Sequence, residues 1–178
     1  MKQNGLFSFV KDVRNLVLVS FFISLYVVFS LFTIYITKEL RFSLTFVPVA
    51  WSSAAFGPVA GIITGAFGDV LSWIVKPAGP YHPGFTLNGV VSGIIYGLLM
   101  YKKPLTWPRV IITSVLYVTV VEIGLNTLWL SGLYGTPYHI LILTRIWKAP
   151  FSILLQGIVL YGTGFYLKRV APRLPKGV

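Results

Sequence analysis

This chain of 178 residues has only four acidic side chains, against fifteen lysines and arginines. Two of these acids, Asp69 and Glu122, lie inside long apolar segments, where an ionised group is costly to bury and is usually functional. Asp69 shares one helical face with Trp73 and Lys76, at spacings of four and three residues. This face offers a ligand an acceptor, a flat aromatic surface and a cation. The alternative is that Asp69 only hydrogen-bonds a neighbouring helix.

Two later segments also gather polar side chains on one helical face. Glu122, Asn126 and Trp129 follow one another at helical spacing. Arg145 and Lys148 share one side of the last apolar segment. These two cations would either hold an anionic ligand or extend to lipid phosphates.

A compact cluster of aromatic and polar residues opens the fourth apolar segment. Its members are Tyr81, His82, Pro83, Phe85 and Asn88. Gathered where a helix begins, these side chains would form a wall and a lid for a flat ligand. A single histidine in a loop is more often simply solvated, so His82 adds little by itself.

These residue types together fit one ligand chemistry, a planar heteroaromatic carboxylate. Cations would hold the acid group, aromatic faces would stack on the ring, and carboxylate or amide oxygens would accept from ring N–H groups. The aromatic belts of membrane proteins account for part of the same pattern.

The segments that position these groups are predicted to be membrane-spanning helices. Residues 16–36 include no charged residue, and a helix of that length rises about 30 Å, the thickness of the bilayer core. Hydrophobic residues make up 56% of the chain, charged residues 11%, and the mean hydropathy is +0.80. A soluble domain of this size rarely has such a composition.

We predict an all-α integral membrane protein, a six-transmembrane-helix bundle with both termini cytoplasmic, in a single domain over residues 1–178. The predicted spans are 14–36, 43–56, 58–76, 84–101, 108–131 and 139–167. The second and third are short for two full crossings, so one of them is expected to be tilted or incomplete.

The distribution of basic residues sets the expected orientation. Ten of the fifteen fall on the side of the N-terminus, and the other five are Lys38, Arg41, Lys76, Arg145 and Lys148. The positive-inside rule therefore places both termini in the cytoplasm. The basic residues punctuate apolar spans and form no continuous stripe, which argues against nucleic-acid binding.

Motifs for membrane enzyme chemistry are missing from the sequence. There is no cysteine, no P-loop GxxxxGK[ST], no GxSxG and no HExxH, and there are only two histidines. We therefore predict a binding protein that is not an enzyme, with no cofactor and no metal site, which depends on partners for energy.

Five segments make the sequence similar to a known family: Phe56–Pro58, Gly68–Asp69, Tyr81–Leu87, Gly93–Gly97 and Leu125–Ser131. With them, the chain resembles the substrate-binding (S) components of energy-coupling factor (ECF) vitamin transporters, a class of ABC importer, and most closely the folate-specific branch. The similarity extends from about residue 15 to the end. The PGFTL and LNTLWLS segments are the ones that point to the folate branch.

The resemblance implies a multi-pass cell-membrane protein that captures extracellular vitamin. It also implies three partners, a transmembrane coupling subunit and two cytoplasmic ATPase subunits that hydrolyse ATP. Small residues on the first helix of such proteins contact the coupling subunit. Ser20 and Ser24 stand at the corresponding positions, and both are larger and more polar than alanine.

If the ligand is folate, its chemistry suggests roles for the residues introduced above, which we state as hypotheses. A pterin ring presents N–H donors, and the glutamate tail carries two carboxylates. The candidate pterin acceptors are Asp69, Asn88 or Asn126. The candidates for stacking on the ring systems are Trp73, Tyr81, Phe85 or Trp129, and the candidate tail-binding cations are Arg41, Lys76, Arg145 or Lys148. His82 and Pro83 complete the expected substrate-binding set.

Two alternatives stay open at this point. The nearer one is an S component for another vitamin, either riboflavin, which is neutral, or thiamine, whose positive charge suits a basic surface poorly. The more distant one is a lipid-directed membrane enzyme or scaffold. It predicts that Arg145 and Lys148 meet phospholipid headgroups.

Overall fold

A computed structural model describes residues 13–35, 41–77 and 79–170 of the chain, without the side chains of 35, 41 and 165–170. The helices are α1 (Val13–Leu31), α2 (Phe46–Phe56), α3 (Pro58–Val75), α4 (Pro83–Met100), α5 (Trp107–Tyr117), α6 (Asn126–Tyr134) and α7 (Tyr138–Val170). A π-helical segment, Val118–Leu125, joins α5 to α6 without a break. The predicted all-α bundle of six apolar helices is confirmed, with Trp107–Tyr134 counted as one helix.

Within the described residues, five helices are long and apolar enough to cross a membrane, and α2 is a sixth, shorter apolar helix. The α2 helix has 11 residues and all of them are buried. At 1.5 Å per residue it rises only about 16 Å, roughly half the thickness of the hydrocarbon core. It therefore forms the centre of the bundle, where Val49 and Trp51 pack against Tyr96 of α4 and Leu160 of α7.

The first helix is shorter than the predicted span of 14–36. It ends at Leu31, and a two-residue strand β1 (Ile34–Tyr35) pairs antiparallel with β2 (Arg41–Phe42). β-branched and aromatic side chains favour this extended conformation. A hydroxyl chain supports the connection, in which Thr33 donates to Ser43 Oγ (3.0 Å). The second helix accordingly begins at Phe46, three residues after the predicted position 43.

Glycine allows α3 and α4 to approach until their backbones touch. A Cβ atom added to Gly65 would lie 2.3 Å from the carbonyl oxygen of Gly89, and one added to Gly93 would lie 2.3 Å from the carbonyl carbon of Gly61. Glycine stripes of this kind pack helices closely in lipid, where van der Waals contact replaces the hydrophobic force. Glycines recur at four-residue spacing on both helices, and the two stripes face each other.

The order of the helices brings one set of ends together. The chain reverses direction after α1, α2, α3, α4 and α6, so the last turns of α1, α3 and α6 and the first turns of α2, α4 and α7 share one end of the bundle. We call this the hairpin end, because the β1–β2 pair lies there. The first turn of α1 and the last turns of α7 lie at the opposite end.

Candidate functional site

A cavity of about 180 Å³ opens at the hairpin end of the bundle. It lies between α1, β2, the first half of α2, the last half of α3, the first half of α4, the π-helical segment and the first half of α7. Nine of the predicted binding residues line it: Asp69, Trp73, Lys76, Tyr81, His82, Phe85, Asn88, Asn126 and Lys148. The structure thus brings most of the predicted set to one place.

Three predicted residues whose side chains the structure describes do not line the cavity. The Arg145 side chain is buried, and its guanidinium donates to the backbone carbonyl of Glu122. Trp129 lies behind Asn88, and Pro83 is an exposed residue in the first turn of α4. The side chain of Arg41 lies outside the described part of the chain.

Asp69 connects α3 to the start of α4 while it lines the cavity. Its Oδ2 accepts a hydrogen bond from Thr86 Oγ1 (2.9 Å), and Thr86 Oγ1 lies 2.8 Å from the hydroxyl of Tyr81. The Tyr81 ring in turn packs edge-on against Trp73, with centroids 5.3 Å apart. One carboxylate therefore orders the aromatic wall on this side of the cavity.

The segment after α3 is tied to its surroundings by two side chains. Trp73 Nε1 donates to the carbonyl of Gly79 (3.0 Å), and Gly79 has φ +118°, a conformation that favours glycine. Lys76 Nζ donates to the carbonyl of Leu31 (3.1 Å), the last residue of α1. Carbonyls at a helix C-terminus lack intrahelical partners, so Lys76 caps α1 and lines the cavity at once.

His82 acts as the N-cap of α4. Its Nδ1 accepts from the backbone N–H of Gly84 (3.1 Å), which satisfies one of the donors at the helix start. The imidazole ring lies 5.5 Å from the Trp129 ring. Trp129 packs directly on Gly84, because a Cβ there would come within 2.4 Å of the indole. The indole Nε1 then donates to Asn88 Oδ1 (3.0 Å).

The opposite wall of the cavity is built around Glu122. Lys148 Nζ lies 3.4 Å from Glu122 Oε2, and Gln156 Nε2 lies 3.5 Å from Glu122 Oε1. The Lys148 side chain is 13% exposed, and its ammonium also lies over the Phe42 ring, 4.4 Å from the centroid. Lys148 and Arg145, both in the first half of α7, are thus turned toward the protein interior.

Sequence reasoning left thirteen polar or aromatic wall residues out of the predicted set. They are Tyr26, Ser30, Thr33, Phe42, Ser43, Thr45, Phe46, Ser72, Ser92, Tyr117, Glu122, Ser152 and Gln156. Helical spacing from Lys148 and Asn126 was a usable signal for Glu122, Ser152 and Gln156. The hydroxyls and rings of α1 and the strand pair carry no such signal, because they are scattered in an apolar segment.

A sequence profile of the ECF transporter substrate-specific component matches residues 14–163. The chain belongs to this family. It is therefore a multi-pass membrane protein and a transporter component rather than an enzyme, and the resemblance inferred from the sequence is confirmed. The family fixes the class of protein, and the individual residue roles stay predictions.

Curated relatives and a solved structure are similar over most of the chain. The folate transporter FolT of Clostridium novyi (strain NT) is 36% identical over 152 residues, which is 85% of this chain and 88% of that protein. FolT of Leuconostoc mesenteroides is 31% identical over 128 residues, 71% of this chain and 69% of that protein. A crystal structure of FolT bound with folic acid superposes with a TM-score of 0.81 at 35% identity, covering 87% of this chain and 95% of that one.

Proposed function

We propose that this S component binds folate in the cavity at the hairpin end and presents it for import. The observation that carries the proposal is the similarity to folate transporters over 85% of the chain, together with a cavity of matching chemistry. Cations, aromatic rings and acceptor oxygens all line that cavity. A flat heteroaromatic ring with an anionic tail needs these three kinds of group.

We assign the tail of the ligand to Lys76, which lines the cavity and is exposed at the end of α3. Arg145 instead holds a backbone carbonyl inside the protein. Lys148 also lines the cavity, but it forms an ion pair with Glu122, so we recast its predicted role as balancing that carboxylate. The predicted role of Arg145 is thus recast as support for the Glu122 backbone, and Arg41 stays a candidate at the strand pair.

The proposed orientation has both termini in the cytoplasm and the cavity facing outward. The cavity opens at the hairpin end, opposite the start of α1 and the end of α7. The ten-to-five distribution of basic residues supports a cytoplasmic location for those ends. In this orientation the site takes up folate from outside the cell.

Energy for transport is proposed to come from a transmembrane coupling subunit and two ATPase subunits, with no cofactor in this chain. Ser20 and Ser24 lie on an exposed face of α1, and Val19 is the only buried residue that the helix contributes. The Ser24 hydroxyl donates to the carbonyl of Ser20 (3.0 Å) within the helix. The hydroxyl is therefore hydrogen-bonded within its own helix, and this face of α1 is suited to packing against another helix.

The orientation of Lys148 and Arg145 counts against a lipid-directed function. That alternative requires both cations to meet headgroups, but Arg145 is 6% exposed and the Lys148 side chain 13%. Both instead contact Glu122. Their positive charges are directed at the cavity wall and away from lipid.

Isothermal titration calorimetry of the detergent-purified chain with folate, riboflavin and thiamine tests the proposal. We expect saturable folate binding at one per chain and no measurable binding of the other two vitamins. Binding of riboflavin or thiamine without folate would retain the family and overturn the ligand. No binding of any of the three would overturn the proposed vitamin-binding function.

A further inference from the structure

We propose that the Glu122 carboxylate selects the ring of the ligand by accepting hydrogen bonds from two adjacent ring N–H groups. The inference rests on the proposed function, since it takes the 2-amino-4-oxopyrimidine part of a pterin as that ring. This edge presents an amino N–H and a ring N–H side by side. A carboxylate has two oxygens and can accept from both at once, as it does from the two N–H groups of an arginine.

The backbone places Glu122 where such a contact can form. It lies in the π-helical segment Val118–Leu125, within a helix that is otherwise α-helical, and its side chain lines the cavity. π-helical turns are rare and occur frequently at functional sites. The wider turn leaves Glu122 and Asn126 on the same wall of the cavity.

Acceptor capacity remains on the carboxylate after its contacts within the protein. A carboxylate offers about four lone-pair positions. In the described part of the chain, the side-chain contacts of Glu122 are Lys148 at 3.4 Å and Gln156 at 3.5 Å. Both are longer than the usual 2.7–3.2 Å of a strong hydrogen bond. Shorter contacts from a ligand would therefore add to this arrangement.

Neighbouring side chains hold the Glu122 carboxylate in place. The Tyr96 hydroxyl donates to Gln156 Oε1 (3.3 Å), which leaves the amide N–H₂ of Gln156 turned toward Glu122. Gln156 is 2% exposed and Tyr96 is fully buried. The Lys148 ammonium balances the carboxylate charge from the other side. The acceptor is thus positioned before any ligand arrives, which limits the cost of ordering it.

A second acceptor lies beside the first. The side-chain oxygen Oδ1 of Asn126 is buried and has no hydrogen-bond partner among the residues that the structure describes. A buried acceptor without a partner is unfavourable unless a ligand or another donor satisfies it.

Asp69, the other carboxylate that lines the cavity in the described chain, has a different environment. Its Oδ2 accepts from Thr86, which itself contacts Tyr81 at the entrance segment. Asp69 thus orders the wall, whereas Glu122 faces Tyr96 and Gln156 in the bundle interior. We therefore assign ring selection to Glu122, which was not in the predicted binding set, and wall support to Asp69.

The test compares Glu122→Gln with the unchanged chain, using two ligands. One is folate, and the other is a folate analogue with methyl in place of the 2-amino group. Loss of a charge-assisted hydrogen bond is worth about 10- to 150-fold in affinity. We expect Glu122→Gln to weaken folate binding within this range, and to weaken analogue binding less than about 3-fold, because the analogue has already lost one donor.

The matched control is Asp69→Asn, which neutralises the other carboxylate. It should weaken folate and analogue by the same factor, since its role does not depend on the ring amino group. Glu122→Asp keeps the charge on a shorter side chain and should lose folate affinity less than Glu122→Gln. This second variant keeps the test available if Glu122→Gln fails to purify as a folded monomeric peak.

Equal losses of folate and analogue in Glu122→Gln would overturn the inference and make Glu122 a structural residue. Unchanged folate binding in that variant would also overturn it. A different result, no folate binding by the unchanged chain, would instead overturn the proposed function. The two failures are therefore distinguishable in one set of titrations.

Discussion

Helix α4 contacts its two sets of neighbours, α3 on one side and α5–α7 on the other, in different ways. We call these the two halves of the bundle. On one side, α3 meets α4 backbone to backbone at Gly65 and Gly89. On the other side, α5–α7 meet α4 through side chains, as in the bond from the Tyr96 hydroxyl to Gln156. The first contact joins two backbones, whereas the second is made largely through side chains, which can rotate.

This difference distinguishes a rigid frame, the α3–α4 pair, from a recognition surface, the cavity-lining residues of α5–α7. The α3–α4 pair is regular and glycine-packed, so it can act as a fixed wall. The other half contains the π-helical segment and has Pro150 inside α7, both of which interrupt regular helical hydrogen bonding. The cavity lies between the halves, and the irregular half supplies Glu122, Asn126 and Lys148.

The largest effect on stability is expected from Gly65→Ala. The added Cβ would lie 2.3 Å from the Gly89 carbonyl oxygen, and backbone cannot move aside as a side chain can. We expect a loss of about 3 kcal/mol or more, at the upper end of overpacking costs. SDS titration of the detergent-solubilised chain, followed by circular dichroism, measures this change.

The matched control for this prediction is Gly162→Ala on α7. No heavy atom lies within 4 Å of a Cβ built at Gly162, and the position is exposed. The control should stay within about 0.5 kcal/mol of the unchanged chain. A Gly65→Ala protein as stable as the control would show that the two backbones are not in firm contact.

The next effect concerns the joint between the halves, where the Trp129 indole donates to Asn88 Oδ1. Trp129→Phe keeps an aromatic ring but leaves this buried oxygen without its donor, at a cost of about 1–3 kcal/mol. A double-mutant cycle with Asn88→Ala, measured by the same SDS titration, should give a coupling energy of at least about 0.5 kcal/mol. Additive losses would mean that the indole acts only by its volume.

Regular features of the sequence predicted the frame well. The uncharged run of 16–36, the four-residue glycine spacing and the scarcity of charge are enough to predict a bundle of closely packed membrane helices, but not which helices meet. These features are local and periodic, and they follow from what lipid requires of a helix. The family resemblance then added the ligand class, which periodicity alone could not supply.

The recognition surface was only partly predictable because its geometry depends on distant parts of the chain. Arg145 and Lys148 looked equivalent on one helical face, yet one holds the Glu122 carbonyl and the other lines the cavity. Phe42 reaches the cavity only because β2 pairs with β1. The π-helical segment changes the angle of the residues that follow it, and no residue type marks it in advance.

A smaller effect is expected from Tyr96→Phe, which removes one hydrogen bond between the halves. The distance to Gln156 Oε1 is 3.3 Å, longer than usual, so the bond is expected to be weak. We expect a loss of about 1 kcal/mol, mostly from the acceptor left unpaired. Tyr161→Phe, at a ring that is 39% exposed, is the control and should change the free energy of unfolding by less than about 0.5 kcal/mol. Equal losses of unfolding free energy in the two variants would show that the Tyr96–Gln156 hydrogen bond does not stabilise the contact between the halves.

The smallest effect is expected from a glycine in the irregular half, and it should have the opposite sign to Gly65→Ala. Gly157 is buried on α7, but no heavy atom lies within 4 Å of a Cβ built there. Alanine would fill unused space and reduce the conformational freedom of the unfolded chain, so Gly157→Ala should stabilise the protein by about 0.5 kcal/mol. Parallel SDS titrations of Gly157→Ala and Gly65→Ala compare one residue change in two environments. Destabilisation by both would mean that the side-chain-mediated half is packed as tightly as α3 and α4, and the distinction between frame and recognition surface would fail.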